Sequence, residues 1–138
     1  MKRSIVMTIL LLAFISLSAQ TVIYQVSELT VGKKDKEGNV LPGKTSDTKN
    51  LVCKININAG LITINNEAET IYELTAPAIS YTVRYDDDGD RHTTTQYWAT
   101  DEEGINCRII LIEYTSLNIT SVTAVYEDMY VTFYMQKV

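Results

Sequence analysis

The sequence predicts an all-β fold, and three observations carry the prediction. Beyond the first twenty residues, apolar and polar side chains alternate with period two in segment after segment. The segments are short, rich in Val, Ile, Thr and Tyr, and divided by clusters of Asp, Asn, Gly and Glu. No stretch after the N-terminal segment repeats its apolar residues at the helical interval. Connections this tight make sequence neighbours sheet neighbours. The expected architecture is a small antiparallel meander barrel of about eight strands, because closure removes exposed edges. A two-sheet β-sandwich is the alternative.

Residues 1–19 read as a signal peptide. Lys2 and Arg3 precede an apolar run from Ile5 to Leu17, interrupted only by Thr8 and Ser16. Ser18 and Ala19 supply the small residues of a cleavage site, and Gln20 opens a polar register. The run is shorter than the ~20 residues that span a bilayer, so no membrane-spanning segment is expected after cleavage. The reading is of an exported chain, periplasmic or secreted, with one domain over residues 20–138. Without Lys2 and Arg3 the balance is 10 basic to 17 acidic residues. That balance disfavours nucleic acid, whose phosphates need clustered cations.

Residues 21–32 are β-branched and open the strand series. Residues 33–50 carry eight charges and read as a long exposed polar loop. In LVCKINI, Leu51, Cys53, Ile55 and Ile57 share a face. Asn58–Gly60 turns the chain into a short strand over 61–64. Asn65-Asn66 turns it again into a strand over 69–75, which Ala76-Pro77 ends. Ile79, Tyr81, Val83 and Tyr85 share a face of the next strand. The acidic turn DDDGD returns the chain into residues 92–99. A two-residue turn there pairs Tyr85 with His92. A three-residue turn pairs Tyr85 with Thr93 and is preferred, because it keeps β-branched residues on one face. Asp101–Gly104 is a second acidic turn. Ile105, Cys107, Ile109 and Leu111 line one face of the strand after it. Strands over 117–126 and 129–137 follow, joined at Glu127-Asp128.

Few motifs suggest chemistry. GNVLPGKT (residues 38–45) matches the phosphate-loop pattern, but no helix follows to offer its N-terminus, so no nucleotide is expected. The Asp86–Asp90 run fails the EF-hand spacing, and two cysteines with one histidine make no metal cage; no metal or cofactor is expected. His92 flanks a turn, and no nucleophile elbow accompanies it. The chain is therefore read as a non-enzyme, with a hydrolase using His92 as the lesser reading. Export makes Cys53 and Cys107 a disulfide candidate; two small buried core residues is the other reading. Nine tyrosines and one tryptophan are the most suggestive surplus. Tyr97, Trp98, Tyr130 and Tyr134 are the candidate ligand contacts, since aromatic rings with polar tips suit interfaces.

The signal end Ser16–Gln20, together with Trp98, Asp101, Gly104, Cys107, Ile109 and Leu111 in the pattern W-x-x-D-x-x-G-x-x-C-x-I-x-L, resembles small exported β-proteins of Bacteroidota with no assigned activity. The resemblance implies a periplasmic or secreted β-protein and brings no catalytic residues. In general shape the chain is similar to lipocalin-like or lysozyme-inhibitor-type barrels, an analogy of architecture alone. The function expected is binding of a small molecule, glycan or envelope component through a barrel mouth or an aromatic face. A protein-interaction or inhibitor module acting through loop 33–50 is the alternative.

Overall fold

The computed structural model describes residues 21–39, 41–47, 51–65 and 69–138. The signal-peptide reading, the Asn66 turn and part of loop 33–50 fall outside these residues. Nine strands are described: β1 (Val22–Lys33), β2 (Lys44–Asp47), β3 (Val52–Asn56), β4 (Leu61–Asn65), β5 (Glu69–Tyr85), β6 (Arg91–Thr100), β7 (Asn106–Tyr114), β8 (Ile119–Val125) and β9 (Met129–Lys137). All pairings are antiparallel. β1, β3, β4, β5, β6, β7, β8 and β9 pair in that order, and β9 pairs back onto β1, closing an eight-stranded barrel.

Alternation decides which side chains fill it. Tyr24 and Val26 of β1, Cys53 and Ile55 of β3, Ile62 and Ile64 of β4, Ile109 and Leu111 of β7, Val122 and Ala124 of β8, and Phe133 and Met135 of β9 point inward and are buried. The parity read from the sequence for 51–57 and 105–111 is therefore the parity of the barrel within the strands, while Ile57 and Ile105 beyond the strand ends are exposed. Register slips by a residue would turn these sets outward, so the interior itself fixes the pairing. The outer face carries charge, with Lys54 and Arg108 both exposed.

Three elements differ from the sequence reading. The segment expected to be a polar loop contains β2, which pairs with β1 from Glu28↔Asp47 to Val31↔Lys44 and lies outside the ring. The amide of Leu41 donates to the carbonyl of Lys33 at 2.9 Å, folding this segment back on β1. Lys44 and Thr45 of the phosphate-loop pattern are strand residues, and the next described element is strand β3. Second, Ala76-Pro77 does not end a strand. β5 continues to Tyr85 through an irregularity between Thr75 and Ser80. Proline is admitted because β4 covers β5 only as far as Glu73, which leaves Pro77 on an edge. Third, the β5–β6 turn spans Asp86–Asp90, so Tyr85 faces Arg91 and Val83 faces Thr93. Neither expected register is formed. The Asp86 carboxylate accepts from the amide of Asp90 at 2.8 Å, and Gly89 takes φ 83°, which fixes the longer turn.

Candidate functional site

Antiparallel order puts the β6–β7 and β8–β9 turns at the same end of the barrel, beside the start of β5. The β6–β7 turn is built by Asp101. Its Oδ1 accepts from the amides of Glu103 (3.0 Å) and Ile105 (2.9 Å), while Gly104 adopts φ 80°. Those bonds occupy one carboxylate oxygen and leave the other, Oδ2, to accept from the Tyr126 hydroxyl at 2.9 Å. On the rim, the Glu102 carboxylate accepts from the amide of Ile71 at 3.3 Å.

Between these turns lies an open cleft of about 840 Å³. Its wall is Met129, Val131 and Phe133 of β9 with Ile105; Tyr72 and Tyr126 lie deeper, and Asp101, Glu102, Glu103, Glu127 and Asp128 form the rim. The cleft is thus apolar inside and acidic at the edge. The carboxylates of Glu103, Glu127 and Asp128 have no hydrogen-bond or ion-pair partner among the described residues.

Burial sets the chemistry of the floor. Tyr72 is pushed up to about 12, chiefly by desolvation, with smaller effects from Tyr126, Cys107 and the carboxylates. Tyr126 is raised further, by burial, then by Tyr72 and by the hydrogen bond it gives Asp101. The Cys107 thiol is pushed up to about 11 by burial and by the Asp101 charge. Near neutral pH the floor presents the neutral hydroxyls of Tyr72 and Tyr126, and the Cys107 thiol buried near them is protonated. A neutral thiol is a poor nucleophile. No group of three or more His, Cys, Asp or Glu residues with the geometry of a metal site occurs among the described residues.

The four aromatic residues expected to bind ligand do not share a surface. Trp98 points outward from β6, 56% exposed, beside a shallow depression lined by Thr75, Ala99 and Asn106. Tyr97 points inward and is buried. Tyr130 and Tyr134 share the outer face of β9, as their spacing implied, but β7 and β8 separate β9 from β6. Tyr130 lies against Gly32 and donates its hydroxyl to the carbonyl of Leu41 at 3.1 Å, so it braces the β1–β2 connection. Tyr134 is the more open, at 41%.

The expected disulfide is not formed: Cys53 and Cys107 are both free and buried. Both face inward, as read, but β3 and β7 stand four places apart in the eight-membered ring by either route. Cysteines on opposite walls, with core side chains between them, are beyond the ~4.4–6.8 Å that a bridge allows between Cα atoms. Cys53 is pushed up to about 12 by burial alone.

Tyr72 and Tyr126 are not singled out by the sequence, and Asp101 is read there only as a turn and pattern residue, not as part of a site. A signal existed for Tyr126, which continues the inward parity of Val122 and Ala124 to the strand end. The partner that meets it is set by the pairing of β6, β7 and β8, which brings the β6–β7 turn beside the end of β8. No family model, no curated protein and no solved structure matches the chain.

Proposed function

We propose that this protein is a non-enzymatic binding module whose barrel mouth takes a small organic cation with an apolar or aromatic body. The observation that carries the reading is the cleft itself, an apolar wall of Phe133, Val131 and Met129 under a rim of five carboxylates. Apolar walls with a few convergent polar groups are the usual make-up of small-molecule sites. Like charges crowded at a rim repel one another, and an ammonium or guanidinium group relieves that repulsion while its body displaces water from the wall. The rings of Tyr72, Tyr126 and Phe133 add attraction for a cation over their faces.

Three features support a role without bond-making. Both thiols are held protonated by burial. His92 lies at the far end of the barrel, stacked on Tyr114 with ring centroids 4.8 Å apart. Beside it, Ser116 donates directly to Asp90 at 2.7 Å, so hydroxyl and acid are bonded to each other rather than through an imidazole. Export to the periplasm or beyond, expected from the N-terminal residues, fits a binding role for envelope or nutrient amines.

The test is calorimetric titration of residues 20–138 with aryl- and alkylammonium compounds, each matched to a carboxylate and a neutral analogue of the same shape. Ammonium compounds should bind selectively, more weakly as salt rises. A Glu127→Gln/Asp128→Asn variant should lose about tenfold in affinity, since each rim charge contributes of order 0.2–1 kcal/mol. Equal binding of the carboxylates, or unchanged affinity in the variant, would overturn the reading.

A further inference from the structure

Around the ring, strand edges are hydrogen-bonded to neighbours, with one long exception. β4 pairs with β5 only to Glu73, and the Leu74 amide makes a last bond to the carbonyl of Gly60 at 2.7 Å. β5 then runs to Tyr85 with β6 along one side and, among the described residues, no strand along the other. Its outer N–H and C=O groups form a ready template for another strand. Ile79, Tyr81, Val83 and Tyr85 stand on one face of this length, 46, 62, 39 and 68% exposed. On β6 the same face continues into buried Thr93 and Thr95, which lie opposite Val83 and Tyr81. The stripe therefore has the composition of barrel interior at a place where the wall has stopped. The usual protections of an edge are sparse here: Arg84 is the sole charge between Pro77 and Tyr85.

We propose that this edge joins two copies of the chain, β5 against β5, antiparallel about a two-fold axis at Thr82. A two-fold contact must be self-complementary. In this register Tyr81 of each copy faces Val83 of the other, and Ile79 faces Tyr85, so apolar residues meet only apolar residues on that face. Registers shifted by one residue set the stripe against Ser80, Thr82 and Arg84 instead. Charge agrees. The antiparallel arrangement carries the two Asp86–Asp90 turns to opposite ends and places each Arg84 across from Ser80. A parallel arrangement would stack acid on acid and arginine on arginine. Area agrees as well. At roughly 200 Å² per large side chain, the four exposed fractions leave on the order of 400 Å² per copy on one face. The exposed Ser80, Thr82 and Arg84 add to it, approaching the ~800 Å² per partner of a stable interface.

The experiment measures the mass of residues 20–138 by light scattering across micromolar to submillimolar concentrations. The expected result is a dimer that Tyr81→Lys/Tyr85→Lys converts to monomer, weakening association by tenfold or more, as large central aromatic contacts do. Both tyrosines are exposed, so circular dichroism and thermal midpoint should be retained. A second variant fixes the register. Thr82→Cys should form an intermolecular disulfide under mild oxidation, since directly opposed residues lie ~4.5–5.5 Å apart. Lys54→Cys, exposed on β3, should not. The native cysteines are buried and do not interfere. A monomer at every concentration overturns the proposal, including one whose edge captures an added extended peptide. So does a dimer that the paired lysines leave intact, or cross-linking at Lys54→Cys equal to that at Thr82→Cys.

Discussion

One aspartate recurs as the device that closes this chain's turns. Asp35, Asp86 and Asp101 each stand three residues before a glycine with φ between 80° and 86°. Each accepts from the amide four residues on, at 2.8 Å for Asn39, 2.8 Å for Asp90 and 2.9 Å for Ile105. At Asp35 the Asn39 amide is the main cause holding the carboxyl below its ordinary range. The acidic runs that invite a calcium reading are thus explained as turn caps, with the glycine supplying the left-handed step that other residues resist. Asp101 differs by its second oxygen, which takes the Tyr126 proton. A paired substitution separates the two roles. Asp86→Ala removes a turn cap and should cost about 1 kcal/mol. Asp101→Ala also strands a partly buried phenol and should cost roughly 2–3 kcal/mol. Urea denaturation of the two variants decides it; equal losses would mean that the Asp101–Tyr126 bond contributes nothing to the fold.

At the scale of elements, strands were legible where packing wrote a pattern and illegible where it did not. β3, β7 and β9 show alternation because one of their faces fills the barrel. β2, Lys44–Asp47, packs no apolar stripe and is held by its backbone pairing to β1, so KTSD reads as loop. β5 was divided at Pro77 because a proline contradicts an interior strand, and nothing local announces that β4 stops short. What does secure the β1–β2 unit is Tyr130. A Cβ on Gly32 would collide with the Tyr130 ring, and one on Gly43 would lie 2.7 Å from its hydroxyl oxygen. The absence of side chains at both glycines is what lets the ring lie flat and reach the carbonyl of Leu41. Gly32→Ala should therefore push the ring off its seat and free the segment from Leu41 to Asp47, with a loss of about 1–3 kcal/mol from overpacking. Tyr130→Ala should free the same segment without the clash. Hydrogen exchange should report faster exchange over 41–47 in both, with the amides of β7 and β8 unchanged; protection retained in β2 would show that its pairing stands without the tyrosine.

The whole molecule adds what neither residue nor strand contains. The β6–β7–β8 meander brings Tyr126 to Asp101, closure of β9 on β1 sets Cys53 across the ring from Cys107, and the antiparallel order gathers carboxylates from two turns around one cleft. Fold class and face parity are short-range properties and were readable. The cleft and the separation of the thiols depend on which strands share an end or a diameter, and no local pattern encodes that. Closure also buries acids that ionise only at high pH, which couples the fold to alkali. Tyr24 and Tyr72 are each pushed from an ordinary value of 10.0 to about 12, mainly by burial. Cys53 goes from 9.0 to about 12 and Cys107 from 9.0 to about 11 for the same reason. All four are neutral when protonated, and their folded values lie above their unfolded ones. Their contribution is therefore fully present below pH 9, begins to fall as unfolded thiols ionise, falls faster above pH 10 as unfolded tyrosines join, and is spent near pH 12. While a group is between its two values, stability drops by roughly 1.4 kcal/mol per pH unit. Unfolding free energy measured in urea should be level from pH 7 to 9 and then decline with a steepening slope. Cys53→Ala should shallow the early part of that decline, leaving the share that Cys107 contributes, and Tyr72→Phe should shallow the later part, because each deletes one ionisation from the unfolded chain. Tyrosinate absorbance should rise together with the loss of β-sheet circular dichroism, not before it. A stability curve flat through pH 11, or phenols that ionise near 10 while the sheet persists, would mean that water reaches these groups in the folded barrel.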